Sequence, residues 1–214
     1  DEKDKNWKTI LHKTSIKGDA VNNFNAENEN IINWVKLKIF PDGGVARLRL
    51  WGNVFVDWDK ISKKQTLELS ALKNGGKIIS YNNAHYGDIS AILSHGRGKN
   101  MGDGWETRRR REPGNDWLII KLGKKGFLTK AEVDTAFFKG NYPESCSIQA
   151  INTNDISKIK YENWITIIPK SILNADKVHK FSISTKFQNT EFSHIKLNIF
   201  PDGGVSRLRI FGHI

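Results

Sequence analysis

Val35–Val54 reads VKLKIFPDGGVARLRLWGNV, and Ile195–Ile214 repeats it as IKLNIFPDGGVSRLRIFGHI. In each copy, two runs of alternating apolar and polar residues flank a Pro-Asp-Gly-Gly segment. Proline presets φ and glycine permits positive φ, so this segment predicts a tight turn. Two alternating runs joined by such a turn predict a β-hairpin. A block repeated this closely indicates two copies of one fold unit.

The alternation also predicts which side chains share a face of each hairpin. One face takes Ala46, Leu48 and Leu50, or Ser206, Leu208 and Ile210 in the second copy; the opposite face takes Arg47, Arg49 and Trp51, or Arg207, Arg209 and Phe211. The two arginines of each hairpin could surround a binding site, or they could pair with acids such as Asp134 across the sheet. We expect at least one arginine of each pair to lie near a carboxylate.

The two copies are unequal in length. Upstream of the hairpin, Asn6-Trp7 with Thr9 and Ile10 matches Asn163-Trp164 with Thr166 and Ile167. The second copy extends from about Gln65 to the C-terminus, whereas the first shows only its last third, so we expect the chain to begin inside a domain. The predicted organisation is residues 1–54 as the C-terminal part of a first unit, 55–64 as a linker, and 65–214 as a complete second unit. Phe55 and Trp58 suggest that the linker packs.

Other segments of the second unit show the same alternation. The strand-like runs are Lys77–Tyr81, Trp117–Leu122, Ala131–Phe138, Trp164–Ile168 and His179–Thr185, and Ala91–Ser94 with its flanks predicts one helical turn. Short strands, many turns and two similar units predict an all-β fold of tandem antiparallel β-sandwiches.

Composition excludes several classes of protein. Hydrophobic residues make up 38% of the chain and include seven tryptophans, enough to form cores. No apolar run approaches the ~18 residues of a membrane-spanning helix. Cys146 is the single cysteine, which excludes a disulfide framework and favours a reducing compartment. We expect Cys146 to be a packed hydrophobic residue more than a nucleophile. The C-terminal Phe211–Ile214 is no peroxisomal address, so the cytoplasm is the expected compartment.

The net charge of +11 raises the question of nucleic acid. The lysines are scattered along the chain, and no nucleic-acid-binding motif is present, which argues against such a partner. The basic run Arg108–Arg111 is the exception, and such runs are usually solvated. Alternation along a strand would send Arg108 and Arg110 one way and Arg109 and Arg111 the other, so only one pair could face a site.

Four segments in the middle of the second unit resemble the allantoicase family. They are Asn83-Ala84-His85-Tyr86-Gly87-Asp88; Gly96-Arg97-Gly98 followed by MGDGWETRR at 101–109; Asp116-Trp117 with Leu122-Gly123; and VDTAFFKGNYP at 133–143. The repeated Ile-Phe-Pro-Asp-Gly-Gly-Val-x-Arg-Leu-Arg hairpin is a further mark of that family. No single segment is decisive, but their combination and order are specific, and the resemblance covers nearly the whole chain.

This resemblance implies a fold, an activity and a set of partners. Allantoicases are built from two similar β-sandwiches of jelly-roll, galactose-binding-like type, and they hydrolyse allantoate to ureidoglycolate and urea in purine degradation. The implied substrate is a small molecule, with no nucleic acid or membrane partner, and a homo-oligomer is expected. The family carries an Asp-Gly-Trp-Glu-Thr motif in both domains. This chain has it once, at Asp103–Thr107, so the first domain's copy is expected upstream of Asp1.

The chemistry of allantoate suggests roles for the residues of these segments. Allantoate is a carboxylate with two ureido groups on one carbon, so its site needs a cation, amide partners and a proton shuttle for the departing urea. Arginine binds carboxylates through its planar fork, and carboxylates act as general acid or base. The catalytic candidates are Glu106, Asp134 and His85. The substrate-binding candidates are Arg108, Arg109, Asp103, Asn141, Trp105, Arg207 and Arg209.

Within this set, Arg108 or Arg109 would bind the carboxylate, while Asn141 and His85 would hydrogen-bond ureido groups. Most candidates also have a structural alternative. Asp134 could pair with an arginine, because an acid among apolar residues is costly to bury alone. Glu106 could simply hold Arg108 or Arg109. Trp105 is expected in the core more than as a stacking surface. The structural alternatives for the remaining candidates are that His85 caps or packs, and that Asp42 and Asp202 form turns.

The histidines show no metal-binding pattern. The six histidines show no H-x-x-x-H spacing, and the sequence contains no pair of cysteines that could bind a metal with them. His85 with Asp88 and Asp103 is the one plausible ligand group. We therefore predict no metal ligands and no cofactor, although a divalent metal such as manganese stays open on family grounds.

Two other functions remain open from the sequence. A β-sandwich can be a non-catalytic module that binds a small ligand or carbohydrate, since fold alone does not establish chemistry. It can also serve only to complete an oligomer. Release of urea from allantoate distinguishes these alternatives from hydrolysis.

Overall fold

The computed structural model describes residues 7–26, 30–160 and 163–214. The chain divides into two compact units, Asp1–Leu50 and Trp51–Ile214. Within the described ranges, the strands are β1 Leu67–Glu68, β2 Lys77–Tyr81, β3 Trp105–Glu106, β4 Asp116–Asp134, β5 Ser145–Ile151, β6 Ile165–Ile172, β7 Val178–Ser182, β8 Glu191–Phe200, β9 Gly204–Val205 and β10 Arg207–His213. The 3₁₀ turns are Trp58–Lys60, Leu72–Asn74, Ile89–Leu93, Ile156–Lys158 and Thr185–Phe187. None of the helices in these ranges is long and apolar enough to cross a membrane.

The long strand β4 connects the two layers of the second unit. Its first half lies between β2 and β8, and β5 and β6 continue that layer beyond β8. Its second half lies between β10 and β7, with β1 beyond β10. The change of neighbours comes near Phe127, just after the register with β8 shifts between Lys121 and Gly126. Every pairing is antiparallel, so the all-β antiparallel fold predicted for this unit is confirmed.

Alternating side chains of both layers form one core. Leu118 and Ile120 of β4 pack with residues of β8 and β10 such as Leu197 and Leu208. In β4 the buried positions change from even to odd numbers between Leu128 and Ala131. The pairing of β4 with β10 slips at the same place. A bulge adds one residue to a strand and so reverses the faces that follow it.

The hairpin predicted for the second copy is not formed, because β8 and β10 pair with different halves of β4 and not with each other, so the Pro-Asp-Gly-Gly segment connects the two layers. The faces predicted for its second strand are nevertheless correct. Leu208 and Ile210 of β10 are fully buried in the core. Arg207, Arg209 and Phe211 lie on the other face of the strand and line a cavity there. The alternation therefore identified the core side of this strand correctly.

The predicted strands are present, with shifted ends. Lys77–Tyr81 matches β2, Trp117–Leu122 lies within β4, and the runs starting at Trp164 and His179 overlap β6 and β7. The run Ala131–Phe138 was predicted too long, because β4 ends at Asp134. There the Asp134 carboxylate accepts the N–H of Ala136, and Phe137 has a φ of 70°. The turn predicted at Ala91–Ser94 lies at Ile89–Leu93, where Asp88 accepts the N–H of Ser90.

The first copy of the hairpin differs from the second. Residues 7–26 and 30–57 contain no strand, so the strands predicted within Val35–Val54 are not formed. In the second copy β8 and β10 both pair with β4, and the described residues of the first unit supply no equivalent of β4. A hairpin without further strands is marginal in water. The turn itself is nevertheless alike, since Gly43 and Gly203 have φ of 133° and 134°.

Two predictions for the first 64 residues can be compared with the structure. Arg47 and Arg49 are exposed, and no carboxylate among the described residues pairs with them, so that expectation was wrong for the first copy. Arg47 donates only to the carbonyl of Ala46, at 3.4 Å. In the predicted linker, Trp58 packs against the core whereas Phe55 is exposed. The assignment of residues 1–54 to a first sandwich stays a prediction.

Candidate functional site

The Pro-Asp-Gly-Gly turn of the second copy, between β8 and β10, holds the strand that carries the candidate acid. β3 pairs with β9, and Glu106 lies opposite Gly204. Thr107 and Gly203 exchange hydrogen bonds: the Thr107 N–H donates to the Gly203 carbonyl at 3.1 Å, and the Gly203 N–H donates to the Thr107 hydroxyl at 3.0 Å. The Gly204 N–H donates to the carbonyl of Asn141 at 2.8 Å. The repeated turn therefore fixes both the segment that contains Glu106 and Thr107 and the segment that contains Asn141.

Glu106, Asn141, His85 and Tyr86 meet beside this turn and are called the Glu106 cluster here. The Asn141 amide donates to the Glu106 carboxylate. The Glu106 carbonyl accepts the N–H groups of His85 at 2.9 Å and Tyr86 at 3.3 Å. The His85 and Tyr86 rings pack edge to face with centroids 4.4 Å apart. Glu106 is half-buried and His85 is exposed. A half-buried carboxylate held by one amide can act as a general acid or base.

Arg207 and Arg209 face the loop that leads into β3. Arg207 is 2% exposed and donates to the carbonyls of Gly96 at 3.1 Å and Asp103 at 2.6 Å, and to the Asp103 carboxylate at 2.9 Å. Arg209 donates to the Glu68 carboxylate at 3.1 Å and to the Gly96 carbonyl at 2.6 Å. The prediction of a nearby carboxylate is confirmed for this copy. Because these donors bind protein acceptors, the arginines position loop 96–103.

The contact with Arg207 affects the pKa of Asp103. Burial raises the pKa of Asp103, but hydrogen bonds from the Arg207 side chain and the Lys99 N–H, together with their positive charges, outweigh burial and leave the pKa below its usual value. The Lys99 N–H donates to the carboxylate at 2.9 Å. Asp103 therefore connects both ends of its loop to β10.

Asp134 lies at the end of β4, beside Arg207 of β10. It is 7% exposed, and its carboxylate accepts the N–H of Ala136 at 2.8 Å. It pairs in register with Arg207 and, with Arg207 and Arg209, lines a cavity of about 680 Å³. Further charged residues of this cavity are Glu68, Glu132, Asp176, Arg97 and Lys177. The sequence grouped Asp134 with Glu106, but no hydrogen bond joins the two in the described chain.

The residues around the basic run have different environments. Trp105 is fully buried, and its indole N–H donates to the carbonyl of Asn83 at 2.8 Å. It is a core residue, so the stacking role considered for it is wrong. The side chains of Arg108 and Arg109 are exposed beyond β3. Arg110 instead forms an ion pair with Asp116 at 3.0 Å, and its N–H donates to Asp202 at 2.8 Å.

The potential metal ligands are dispersed. In the described parts of the chain, no three His, Cys, Asp or Glu side chains form a group that could hold a metal ion. Asp88 is bonded to Ser90 and Asp103 to Arg207, so the ligand group proposed from the sequence does not assemble around His85. Cys146 is buried, and burial raises the pKa of its thiol to about 12. A thiol that stays protonated is a poor nucleophile.

The sequence did not single out Asn83 as a site residue. Its side-chain oxygen accepts the N–H of Arg108 at 3.1 Å, and its carbonyl accepts the indole of Trp105. It thus fixes both ends of the segment that carries Glu106. A short polar side chain between two irregular segments was the available signal, because asparagine often bonds backbone groups where regular pairing ends.

Comparison with known proteins relates the chain to one family. A family model described as "Allantoicase repeat" matches residues 1–55 and 67–214. A probable allantoicase from Photobacterium profundum is 46% identical over 96% of this chain and 63% of its own length. The allantoicase of Dictyostelium discoideum is 45% identical over 96% of this chain and 56% of its own. The crystal structure of allantoicase from Saccharomyces cerevisiae superposes with a TM-score of 0.62 at 35% identity, over 69% of this chain and 43% of that chain. The chain thus spans less than two thirds of these relatives.

Proposed function

Because the chain belongs to the allantoicase family, we propose that it is a ureide hydrolase that converts allantoate and water to ureidoglycolate and urea. The observation that carries this proposal is 46% identity over 96% of the chain to a probable allantoicase. Residues 65–214 are proposed as a complete second repeat, and residues 1–54 as the C-terminal part of a first. The Glu106 cluster is proposed as its reaction site.

The reaction divides into steps that the cluster's groups can perform. The bond between the central carbon of allantoate and one ureido nitrogen breaks, and a bond from that carbon to the water oxygen forms. One water proton passes to the departing urea nitrogen. Glu106 accepts that proton and returns it to the nitrogen, while the Asn141 amide holds the carboxylate in place. A positioned carboxylate of this kind contributes about 10²–10⁴-fold to the rate.

The other groups bind the substrate. The exposed guanidinium of Arg108 or Arg109 pairs with the allantoate carboxylate through two parallel N–H donors. Asn141 and His85 hydrogen-bond the ureido groups. Arg207 and Asp103 support the site indirectly, since their ion pair at 2.9 Å fixes the loop before β3.

Urea release from allantoate tests the proposal. Wild-type protein should release urea, and Glu106→Gln should reduce the rate by about 10²-fold or more, because the amide keeps the shape but cannot accept the proton. Glu112→Gln, at an exposed glutamate of the next loop, is the matched control and should keep the wild-type rate. The rate of urea release by Asp134→Asn shows whether the second candidate carboxylate, that of Asp134, takes part in the reaction.

The outcomes separate the alternatives. Loss of activity in Asp134→Asn with normal Glu106→Gln would move the proton transfer to the 680 Å³ cavity. Absence of urea release from wild-type protein would favour a non-catalytic binding module. The proposal also includes assembly as a homo-oligomer and a location in the cytoplasm. The free, buried Cys146 is consistent with a reducing compartment.

A further inference from the structure

Met101 lies beside the Glu106 cluster and contacts the amide that holds the carboxylate of that cluster. It is the single methionine of the sequence, and it is 47% exposed. The Asn141 side-chain nitrogen donates to Met101 Sδ at 3.9 Å, and the same nitrogen donates to the Glu106 carboxylate. An amide nitrogen carries two N–H groups, and a thioether sulfur is a weak acceptor. One N–H of Asn141 therefore binds a strong acceptor and the other binds a weak one.

The backbone around Met101 is fixed. The Asp103 N–H donates to the Asn100 carbonyl at 3.1 Å and closes a turn around Met101. The Asp103 carboxylate accepts the Lys99 N–H at 2.9 Å and the Arg207 guanidinium at 2.9 Å, which connects the turn to β10. A change in the size or polarity of the sulfur is therefore accommodated by the side chains that contact it more than by the loop.

The chain has two sulfur atoms, those of Met101 and Cys146, and their environments differ. Cys146 is buried, and burial raises the pKa of its thiol to about 12. It therefore holds little of the thiolate that oxidants attack. A thioether needs no deprotonation, and the exposed Met101 can be reached by an oxidant dissolved in water. Met101 is thus the sulfur of the folded chain that such an oxidant modifies.

We propose that Met101 is a site of reversible oxidation by hydroperoxides that lowers the activity of the Glu106 cluster; the effect on activity rests on the proposed hydrolysis. A lone pair of the sulfur attacks one oxygen of the peroxide, so that an S–O bond forms as the O–O bond breaks. The departing oxygen takes up a proton and leaves as water or an alcohol. The sulfur loses two electrons, and the peroxide gains them. The product is methionine sulfoxide, a polar group that methionine sulfoxide reductases convert back to the thioether.

The sulfoxide oxygen competes with Glu106 for the Asn141 amide. It is a stronger acceptor than a thioether, and it is attached to an atom 3.9 Å from the amide nitrogen. The amide shifts toward the new oxygen, and the Glu106 carboxylate loses the donor that holds it. Because catalysis depends on the orientation of the reacting groups, the rate falls. Met101 is therefore a positioning residue that acts through Asn141.

Treatment of the full chain with hydrogen peroxide tests this site. Mass spectrometry of peptides should find one added oxygen atom on Met101 and none on Cys146. The side-chain amide signal of Asn141 in a proton–nitrogen correlation spectrum, identified by its absence in Asn141→Asp, should shift. Urea release should fall about fivefold or more, the effect expected from the loss of a hydrogen bond to a charged group. Methionine sulfoxide reductase should reverse both changes.

Two variants separate oxidation of Met101 from oxidation elsewhere. Met101→Leu keeps an apolar side chain without the sulfur, so peroxide should change neither its Asn141 signal nor its rate of urea release. Adding Ile172→Met to this variant places a methionine at a position of β6 that is 77% exposed. That methionine should be oxidised without either effect, which makes it the matched control.

Three results would overturn the proposal. The first is an unmodified Met101 after treatment, and the second is a modified Met101 with an unchanged Asn141 signal. The third is an equal loss of urea release in Met101→Leu, which would assign the effect to another residue. If untreated protein releases no urea, the proposed hydrolysis fails, whereas the Asn141 signal still decides whether oxidation of Met101 reaches the Glu106 cluster.

Discussion

At the scale of single residues, burial determines what the charged groups of this protein do. Arg207 is nearly inaccessible, and its guanidinium donates to two carbonyls and one carboxylate of loop 96–103. A buried guanidinium without such partners would be strongly destabilising. Asp103 depends on the same contact, because burial raises the pKa of its carboxyl, whereas the hydrogen bonds and charges of Arg207 and Lys99 lower it below its ordinary value. The pair therefore fixes the residues that precede Glu106.

We predict that Arg207→Lys destabilises the second unit by about 2 kcal/mol or more, since lysine keeps the charge but cannot bond several acceptors in one plane. Guanidinium denaturation at neutral pH measures the change. Arg47→Lys is the matched control at the equivalent position of the first copy, where the side chain is exposed. Equal effects of the two substitutions would contradict the structural role of Arg207.

We predict that Asp103 makes the stability of the protein depend on acid pH. The folded state holds the pKa of this carboxyl below its ordinary value of about 3.9. Its contribution is therefore complete above that ordinary value and is lost as the pH falls through the lower folded-state pKa. The difference in unfolding free energy between wild type and Asp103→Asn should shrink as the pH falls from 6 toward 3, as measured by urea denaturation. A constant difference over that range would refute this assignment.

At the scale of elements, the repeated turn connects the fold to the site. The glycines of this turn lie so close to other segments that there is no room for a side chain. A Cβ on Gly204 would lie 2.0 Å from ring atoms of Phe138. In the same turn, the Gly203 carbonyl accepts the N–H of Thr107, and the Gly204 N–H donates to the carbonyl of Asn141. Strand β4 contributes at this scale too, because it pairs with β8 in one layer and with β10 in the other. The turn is thereby fixed between the two layers, with β8 before it in one and β10 after it in the other.

We predict that Gly204→Ala destabilises the second unit by about 1–3 kcal/mol, because the added methyl group displaces the Phe138 ring from a close-packed site. It should also lower urea release, since Gly204 lies opposite Glu106. Gly44→Ala at the equivalent position of the first copy has open space around it and should leave both quantities unchanged. Thermal denaturation and the urea assay test the pair; a stable, fully active Gly204→Ala would show that the contact can relax.

At the scale of the whole molecule, the second unit contains its own core. One cluster of buried side chains includes residues from both layers, together with Trp58 at its edge. The first unit, by contrast, has many exposed apolar side chains, among them Trp34 at 82% exposure. The Glu106 cluster lies within the second unit. Its folding should therefore be independent of residues 1–50.

We predict that residues 51–214 expressed alone form the same sandwich, because every strand pairing of the unit is made within that range. Far-UV circular dichroism should show β-structure, and unfolding should be a single cooperative transition. Tryptophan emission should shift to longer wavelength on unfolding, because Trp105 is fully buried in the folded unit. A fragment that binds hydrophobic dye and unfolds without cooperativity would contradict the division of the chain at this boundary.

The sequence by itself determined the features that depend on neighbouring residues. Alternation in Arg207–Phe211 identified the core face of β10, and the Pro-Asp-Gly-Gly segments identified the two turns, in which Gly43 and Gly203 have nearly the same φ. It also indicated the family through motifs that are short and local. These signals are carried by the period of the strand and the conformational range of proline and glycine, so they can be identified without knowledge of the partner strands.

Only the tertiary structure decided which distant segments meet. It placed Asp134 beside Arg207 and directed Arg207 and Arg209 to loop 96–103. It also left the first copy of the repeat without strands, because a strand forms only where another strand accepts its hydrogen bonds. Identical motifs therefore have different structures in one chain: the second copy has β4 to pair with, and the described first copy does not.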